Sequence, residues 1–208
     1  QLLERAAKLW DSSVTDVIYN HGTIQHKSDS ELKFTFSEIS KLLPQTGGPV
    51  VGRANLNPAG SGGSYAANII DVQVDPETGK VDILKITAFQ DVGTAIYPVH
   101  VEGQIQGGTA QGIGWALNEE YFMDPDGGVA NTSLLDYRMP TSLDLPMINT
   151  EIIEVPNPNH PYGVRGVGEA NIVPPLAALS NAIFDATGVQ IRNLPMTPQN
   201  VKSSLTAE

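Results

Sequence analysis

The stretch Tyr65–Gly93, YAANIIDVQVDPETGKVDILKITAFQDVG, carries the clearest secondary-structure pattern in the chain. Side chains alternate in character on both sides of the turn sequence PETG, a period of two that is typical of half-buried strands. The alternation runs through Ile70, Val72 and Val74 before the turn, and through Val81, Ile83 and Lys85 after it. The pattern therefore predicts a β-hairpin.

Helical and extended patterns surround this hairpin. Helices are predicted over residues 1–10, from a cap at Thr35 or Ser37 to near Pro44, from about Gly103 to Phe122, and over VPPLAALSNAIFDATG, which opens with prolines and closes with Gly188. In the last of these, Leu176, Leu179, Ile183 and Ala186 are predicted to face inward. A short hairpin is predicted around Asn20-His21-Gly22, an extended segment at SLLDYRMP, and a strand at INTEIIEVP. Together they predict an α+β fold, with helices packed on an antiparallel or mixed sheet.

The chain has 208 residues, which is enough to bury a sizeable core in one domain over residues 1–208. Residues 44–64, PQTGGPVVGRANLNPAGSGGS, are rich in glycine, proline and polar residues, and they predict an irregular connection inside that domain.

Composition excludes several classes of protein. A net charge of -11 and scattered basic residues argue against nucleic-acid binding. The chain contains no cysteine, which excludes disulfides and thiolate-bound metal or iron–sulfur centres within it. Apolar runs are far shorter than the roughly 20 residues that cross a bilayer, and no targeting segment opens the chain. These features predict a cytoplasmic location.

The predicted helix near Gly103–Phe122 is unusually rich in glycine, although each interior glycine costs a helix up to about 1 kcal/mol against alanine. Gln104, Gly108 and Gln111 fall at i, i+4 and i+7 and therefore share one face. Two amides beside bare backbone suit a flat, polar ligand. Close helix packing explains the same spacing, and the residues alone leave both explanations open.

Glu169 stands in GVRGVGEANIVPP, a run that is otherwise mainly glycine, small and apolar. Burial among apolar groups disfavours the charged form of a carboxyl group, and enzymes use this effect to obtain a base that works near neutral pH. Alternatively, Glu169 caps the helix that begins near Val173 or Pro174, where an acid suits the positive end of the helix dipole. The residues alone favour neither explanation.

Other motifs of catalysis are missing. The four histidines show no pair at metal-ligand spacing, so no protein-ligated metal is predicted. No Gly-x-Ser-x-Gly sequence is present, which disfavours a serine hydrolase.

Three segments, in this order and spacing, resemble one known family: VEGQIQGGTAQGIGWALNEEYF, GVRGVGEANIVPPLAALSNAIFDATGV and IRNLPMTPQNV. The chain is similar to the C-terminal part of the molybdenum-binding large subunit of the xanthine dehydrogenase, aldehyde oxidase and carbon monoxide dehydrogenase family. The resemblance extends from Gln1 to about Val201 and is strongest from Asn68 onward. It implies that the fold is the C-terminal portion of a molybdenum cofactor-binding domain.

The resemblance also implies site residues, cofactors and partners. Glu169 matches the family's catalytic base, and Gln111 matches a glutamine that contacts the molybdopterin cofactor, either molybdopterin itself or its cytosine dinucleotide. Gln104 fits the family pattern, but no role is carried over to it. The implied reaction is hydroxylation of a small heterocycle or aldehyde with oxygen taken from water. FAD and [2Fe-2S] centres are expected on partner subunits, in a hetero-oligomer.

The matched region is only part of the family's large subunit, so the chain is expected to be a fragment or one product of a split subunit, inactive without the remainder. Two other functions stay open. One is a structural or assembly domain that keeps the fold without catalysis, against which an intact Glu169 argues. The other is an independent small-ligand-binding domain that uses the glycine-rich helix.

Overall fold

The computed structural model describes residues 1–57, 60 and 62–207, which fall into two compact units, Gln1–Asn57 and Pro58–Glu208. The division lies inside the predicted irregular connection 44–64. Residues 58, 59 and 61 of that connection lie outside the described residues. From residue 47 to residue 64, the described part contains no helix or strand. A single cofactor-binding domain over 1–208 stays a prediction.

The first unit is a small sheet with two helices. Its elements are α1 (Leu2–Leu9), β1 (Val17–Asn20), β2 (Thr23–His26), β3 (Lys33–Thr35) and α2 (Phe36–Thr46). β1 and β2 pair antiparallel around His21 and Gly22, whose φ angles of 42° and 84° suit a tight hairpin turn. This confirms the predicted hairpin, and β3 adds a third strand that the sequence did not predict. Ala6, Val17, Ile24 and Ile39 form the core of this unit.

Helix α2 begins as predicted and ends later than predicted. The Thr35 hydroxyl accepts from the Glu38 backbone N–H, and the Glu38 carboxylate accepts from the Thr35 N–H at 2.8 Å, which makes a full capping box. The helix continues past Pro44 to Thr46, where Gly47, at a φ of 120°, ends it by donating its N–H to Leu43. The predicted end at Pro44 was therefore two residues short.

The second unit places three helices on a three-stranded sheet. Its elements are β4 (Tyr65–Val74), β5 (Val81–Asp91), α3 (Pro98–Leu117), β6 (Ile148–Ile153), α4 (Pro174–Thr187) and α5 (Pro198–Leu205). β5 lies in the middle, antiparallel to β4 and parallel to β6. The predicted α+β fold with helices on a mixed sheet is confirmed, as are the long hairpin and the INTEIIEVP strand. Short α5 was not predicted.

One detail of the hairpin prediction was wrong. Asp71 pairs with Lys85 but Val72 pairs with Ile83, so Leu84 is an extra residue in β5. Such a bulge moves the buried face from odd to even positions. Lys85 is exposed, whereas Ile86 and the even-numbered residues up to Gln90 are buried.

The two long helices of this unit match their predictions in part. α3 begins at Pro98 and ends at Leu117, five residues before the predicted end, because the N–H groups of Asn118 and Glu119 both bond to the Gly114 carbonyl. α4 ends at Gly188 in the left-handed region, as predicted. Leu179 and Ile183 are buried in the core that α3, α4 and the sheet share, but Ala186 is exposed and not inward-facing.

The α3–β6 segment, residues 118–147, joins helix and strand almost without regular structure. It contains turns and one bridge between Met123 and Val129, and no strand forms at SLLDYRMP in this described part of the chain. Most of its residues are exposed, including nine large apolar side chains: Tyr121, Phe122, Met123, Val129, Leu134, Leu135, Met139, Leu143 and Met147. Among all described residues, no helix is both long and apolar enough to cross a membrane.

Candidate functional site

Glu169 lies on the Glu169 loop, which we define as residues 163–172, between β6 and α4. It directly precedes a 3₁₀ turn, Ala170–Ile172, and its side chain is exposed. The apolar residues that follow it in sequence do not enclose it, because Val173 is itself 69% exposed. Instead, the residue buried in this turn is polar: Asn171. The expectation that Glu169 is buried among apolar groups was therefore wrong for this chain alone.

The structure shows no capping hydrogen bond from Glu169. Its side chain accepts no cap bond in the 3₁₀ turn that it precedes, and α4 is preceded by Val173, which offers no side-chain cap. Within the described residues, the Glu169 carboxylate has no hydrogen-bond partner at all. An exposed carboxylate without a partner is free to accept a hydrogen bond from something outside the chain.

The glycines of α3 divide into two kinds. At Gly112, an added Cβ would collide with the Ile172 carbonyl oxygen and lie 2.9 Å from Pro175 Cγ. At Gly108 it would lie 3.5 Å from Asn171. These positions therefore let the Glu169 loop pack directly on the helix backbone, as the packing explanation predicts. At Gly103 and Gly107, by contrast, nothing in the described chain lies within 4 Å of an added Cβ.

The three residues predicted to share one face of α3, Gln104, Gly108 and Gln111, lie on two different surfaces in the structure. Gly108 is buried against the Glu169 loop, whereas the side chains of Gln104 and Gln111 are exposed. A Cβ at Gly168 would lie 3.4 Å from Gln104 Oε1, so this amide borders the residue just before Glu169. Gln111 adjoins Gly112, which packs on the same loop. Both elements that carry the predicted site residues are thus in contact, although no hydrogen bond joins Glu169 to Gln111 in the described chain.

Sequence reasoning missed the polar residues that hold the Glu169 loop. Gln90 and Asn171 have 0% exposure, and Asn171 Nδ2 donates to Gln90 Oε1 at 2.6 Å. Gln90 falls on an even position of β5, which the sequence assigned to the outer face because the bulge at Leu84 was not foreseen. The available signal was an uncharged polar residue whose neighbours two positions away, Ala88 and Val92, are apolar, and this signal is weak by itself.

An ion pair holds the start of the same loop. Arg165 Nε lies 3.1 Å from Asp91 Oδ2, and each of the two side chains is 12% exposed. Arg165 also donates to the carbonyls of Val155 and Gly63, at 3.1 and 2.6 Å. Gly93 comes so close to the Gly163 carbonyl that an added side chain would collide with it. The loop is therefore fastened to the end of β5 at both flanks of Glu169.

Two open grooves flank α3. One, of about 230 Å³, is lined mainly by apolar groups and by Tyr97, His100, Gln104 and Arg165. The other, of about 560 Å³, runs along the open glycines, with Gly103, Gly107, Pro140 and Met147 among its lining residues. Within the described residues, no group of three or more His, Cys, Asp or Glu side chains is placed to hold a metal ion. The surface offers amide and carboxylate groups to a ligand.

Comparison with known proteins identifies the family. A model of the molybdopterin cofactor-binding domain matches residues 1–146. The chain belongs to this family. A putative xanthine dehydrogenase molybdenum-binding subunit of Escherichia coli K12 is 38% identical over 159 residues, which are 76% of this chain and 21% of that relative. The nicotine 6-hydroxylase large subunit of Paenarthrobacter nicotinovorans is 32% identical over 215 residues, which are 97% of this chain and 26% of that relative.

Solved structures agree with the sequence comparison. A Cu,Mo-dependent carbon monoxide dehydrogenase superposes over 98% of this chain and 26% of its own, with a TM-score of 0.83 and 25% identity. Quinoline 2-oxidoreductase from Pseudomonas putida 86 superposes over 100% of this chain and 28% of its own, with a TM-score of 0.77 and 28% identity. The predicted family is confirmed: the chain corresponds to part of a molybdenum-binding large subunit. It spans about a fifth to a quarter of the curated relatives that it matches, at 21% and 26%.

Proposed function

We propose that this chain supplies part of the molybdopterin site of a molybdenum-dependent oxidoreductase, with Glu169 as its general base. The observation that carries the proposal is the presentation of Glu169: an exposed carboxylate, unpartnered in the described chain, on a loop packed against α3. The exposed amides of Gln104 and Gln111 stand on that same helix. A family match to the molybdopterin cofactor-binding domain supports the choice of ligand.

The residues of α3 fit a flat, polar cofactor. Gly103 and Gly107 leave the backbone bare, since no described atom lies within 4 Å of an added Cβ there. Gln111 offers both an amide donor and an amide acceptor beside this surface, and we assign it to cofactor binding. When bound, a molybdenum–pterin group would supply two-electron oxidation chemistry. Molybdopterin and its cytosine dinucleotide are both compatible with this part of the site.

Glu169 would accept a proton at a carboxylate oxygen. Its exposure in the described chain leaves that oxygen accessible to a group from outside, and the lack of a competing donor leaves its lone pairs available. A positioned general base contributes about 10²- to 10⁴-fold to a rate. The remaining residues of the loop would hold the carboxylate in place and would not take part in proton transfer.

A second polypeptide, or a further part of the same one, would complete the site. Nine large apolar side chains stand exposed on the α3–β6 segment, with Leu134 at 78%, Leu135 at 89% and Leu143 at 96%. Large exposed apolar surfaces mark interaction sites. The segment also carries six acidic residues against one arginine. We propose that the rest of the large subunit covers it with an apolar face bordered by basic residues.

The wider assembly and the substrate belong to the same proposal. We propose FAD and [2Fe-2S] centres on partner subunits, a hetero-oligomer, and a cytoplasmic location. The names of matched proteins refer to nicotine, quinoline, aldehyde and carbon monoxide chemistry. We propose hydroxylation of a small heterocycle or aldehyde, with oxygen taken from water.

Glu169→Gln in the assembled enzyme tests the function. The amide keeps the shape of the side chain but cannot take the proton, so turnover per bound molybdenum should fall by at least about 10²- to 10⁴-fold. Molybdenum content and melting temperature should stay close to those of the parent, because Glu169 makes no side-chain hydrogen bond in the described chain.

Glu77→Gln is the matched control, since Glu77 is an exposed glutamate in the β4–β5 turn. Its turnover should equal that of the parent. Normal turnover in Glu169→Gln would refute the catalytic role and would favour a structural or assembly domain.

A further inference from the structure

A buried amide pair joins the central strand to the Glu169 loop. Gln90 of β5 and Asn171 of the loop both have 0% exposure, and Asn171 Nδ2 donates to Gln90 Oε1 at 2.6 Å. Asn171 lies two residues after Glu169. This bond therefore fixes the C-terminal flank of the candidate base to the sheet.

The Nε2 group of Gln90 holds the residues on the N-terminal side of Glu169. Gln90 Nε2 donates to the carbonyl of Gly166 at 3.0 Å and to that of Val167 at 3.2 Å. Ser64 Oγ donates to Gly166 O as well, at 2.7 Å. One amide group thus spans Glu169, with a partner two or three residues before it and another two residues after it.

The loop needs such a restraint. Gly166 and Gly168 lie just before Glu169, and glycines allow many backbone conformations. An added Cβ at Gly166 would meet nothing within 4 Å, and at Gly168 only the Gln104 amide. Glu169 itself makes no side-chain hydrogen bond in the described chain. Its position therefore depends on groups that hold the backbone on either side.

The choice of polar groups for this contact is costly, because a buried amide must replace the hydrogen bonds that it made to water. Apolar side chains could fill the same volume without that cost. They would not fix the relative orientation of the strand and the loop, or the distance between them. Hydrogen bonds in a buried network restrict both. The pair is thus better suited to holding a loop in one geometry than to adding stability.

We propose that Gln90 and Asn171 are positioning residues for Glu169, which set the reach of its carboxylate toward the reacting group. This inference rests on the proposed function of Glu169 as general base. Both side chains have 0% exposure in the described chain. They act only through the backbone of the Glu169 loop.

The decisive experiment substitutes Gln90→Met in the assembled enzyme, which keeps the length of the side chain and removes both kinds of hydrogen bond. A shift of about 1 Å at a reacting group can cost about 10²-fold. We expect kcat to fall roughly 10- to 100-fold, with KM and molybdenum content close to those of the parent. Amide hydrogen exchange over residues 163–170 should accelerate roughly 2- to 12-fold, the range that corresponds to loss of one hydrogen bond.

A double-mutant cycle separates positioning from general stability. If Gln90 acts through Glu169, then Gln90→Met should lower kcat no further in a Glu169→Gln background. Ser180→Ala is the control. It removes two bonds, a partly buried one of 2.8 Å from Ser180 Oγ to the Ile191 carbonyl and one of 2.9 Å that Ser180 Oγ accepts from Gln190 Nε2. Both kcat and exchange over residues 163–170 should stay unchanged.

Each outcome has a defined meaning. Normal turnover in Glu169→Gln overturns the proposed function, and the inference with it. A large loss in Glu169→Gln with normal kcat in Gln90→Met, or additive losses in the double variant, overturns the inference alone. If Gln90→Met does not assemble, Asn171→Ala takes its place with the same expectations. Failure of both variants to assemble would mean that the pair is structural, and would also overturn the inference.

Discussion

Two segments on either side of β6 lack regular structure, and they are held in opposite ways. The Glu169 loop is fastened to β5 by side chains with almost no exposure, among them Gln90, Asn171 and the Arg165–Asp91 pair. The α3–β6 segment is held by hydrogen bonds between its own residues, such as that from Tyr137 to Glu119. It leaves nine large apolar side chains exposed.

The difference shows that a segment without helix or strand can still have its conformation fixed by contacts with the rest of the chain. The Glu169 loop is held by hydrogen bonds to Gln90 and Ser64 within this chain, although Asn171 Oδ1 is buried without a partner among the described residues. The α3–β6 segment buries few of its apolar groups here, and we infer that it reaches its full stability only in the assembly. Four predictions test this contrast, beginning with the largest expected effect.

Replacing both Leu135 and Leu143 by serine should weaken assembly with the rest of the large subunit. Full burial of a leucine contributes about 1.5–3 kcal/mol, so each substitution should raise the dissociation constant at least about tenfold. Thermal unfolding of the free chain should not change, because these side chains are 89% and 96% exposed. Leu84→Ser, at an exposed leucine of β5, is the control. Unchanged affinity in the double variant would mean that the segment is not the covered surface.

Gly112→Ala should destabilise the contact between α3 and the Glu169 loop. The new Cβ would collide with the Ile172 carbonyl, and relieving such overpacking typically costs about 1–3 kcal/mol. Gly107→Ala is the matched control on the same helix. With nothing within 4 Å, it should stabilise the free chain by up to about 1 kcal/mol. Urea unfolding of the 208-residue chain measures both, and equal effects at the two glycines would contradict the assignment of buried and open positions.

Gln111→Ala should lower cofactor retention in the assembled enzyme without affecting the free chain. Gln111 is exposed and makes no side-chain bond within the described residues, so the chain loses nothing by its removal. Loss of one amide bond to a ligand is worth roughly 0.5–1.5 kcal/mol. Molybdenum and pterin content after dialysis measures the effect against Gln73→Ala, an exposed glutamine of β4. Parent-level retention would remove Gln111 from the site.

Tyr137→Phe should have the smallest effect, a small loss of stability that is present below pH about 10 and disappears as the pH rises toward 12. A hydrogen bond to the Glu119 carboxylate, together with burial, raises the pKa of Tyr137 to about 12. A raised pKa in the folded state stabilises the fold below the ordinary tyrosine value near 10, and this contribution is lost as pH rises toward 12. Ultraviolet titration of the free chain should show one late tyrosine phase that disappears in Tyr137→Phe and persists in Tyr162→Phe. A late phase that survives in Tyr137→Phe would show that this local bond does not form.

Local patterns were sufficient for much of the fold. The Tyr65–Gly93 hairpin, the Thr35 cap and the Gly188 end of α4 follow from alternation, capping and turn chemistry, all of which act within a few residues. The bulge at Leu84 could not be predicted, because it depends on how β5 pairs with β4. Because of that single extra residue, the sequence pattern did not predict that Gln90 is buried or that it holds the Glu169 loop.

The sequence by itself determined the family, the α+β class and the identity of Glu169 and Gln111 as candidates, because these depend on residue order along the chain. Only the tertiary structure decided that Glu169 is exposed and that Gly108 and Gly112 serve packing whereas Gly103 and Gly107 stay open. It also decided which polar groups hold the loop. Each of these depends on contacts between residues far apart in sequence, Gln90 with Asn171 and Gly112 with Ile172. Such contacts exist only after the sheet and helices have come together, and no local pattern encodes them.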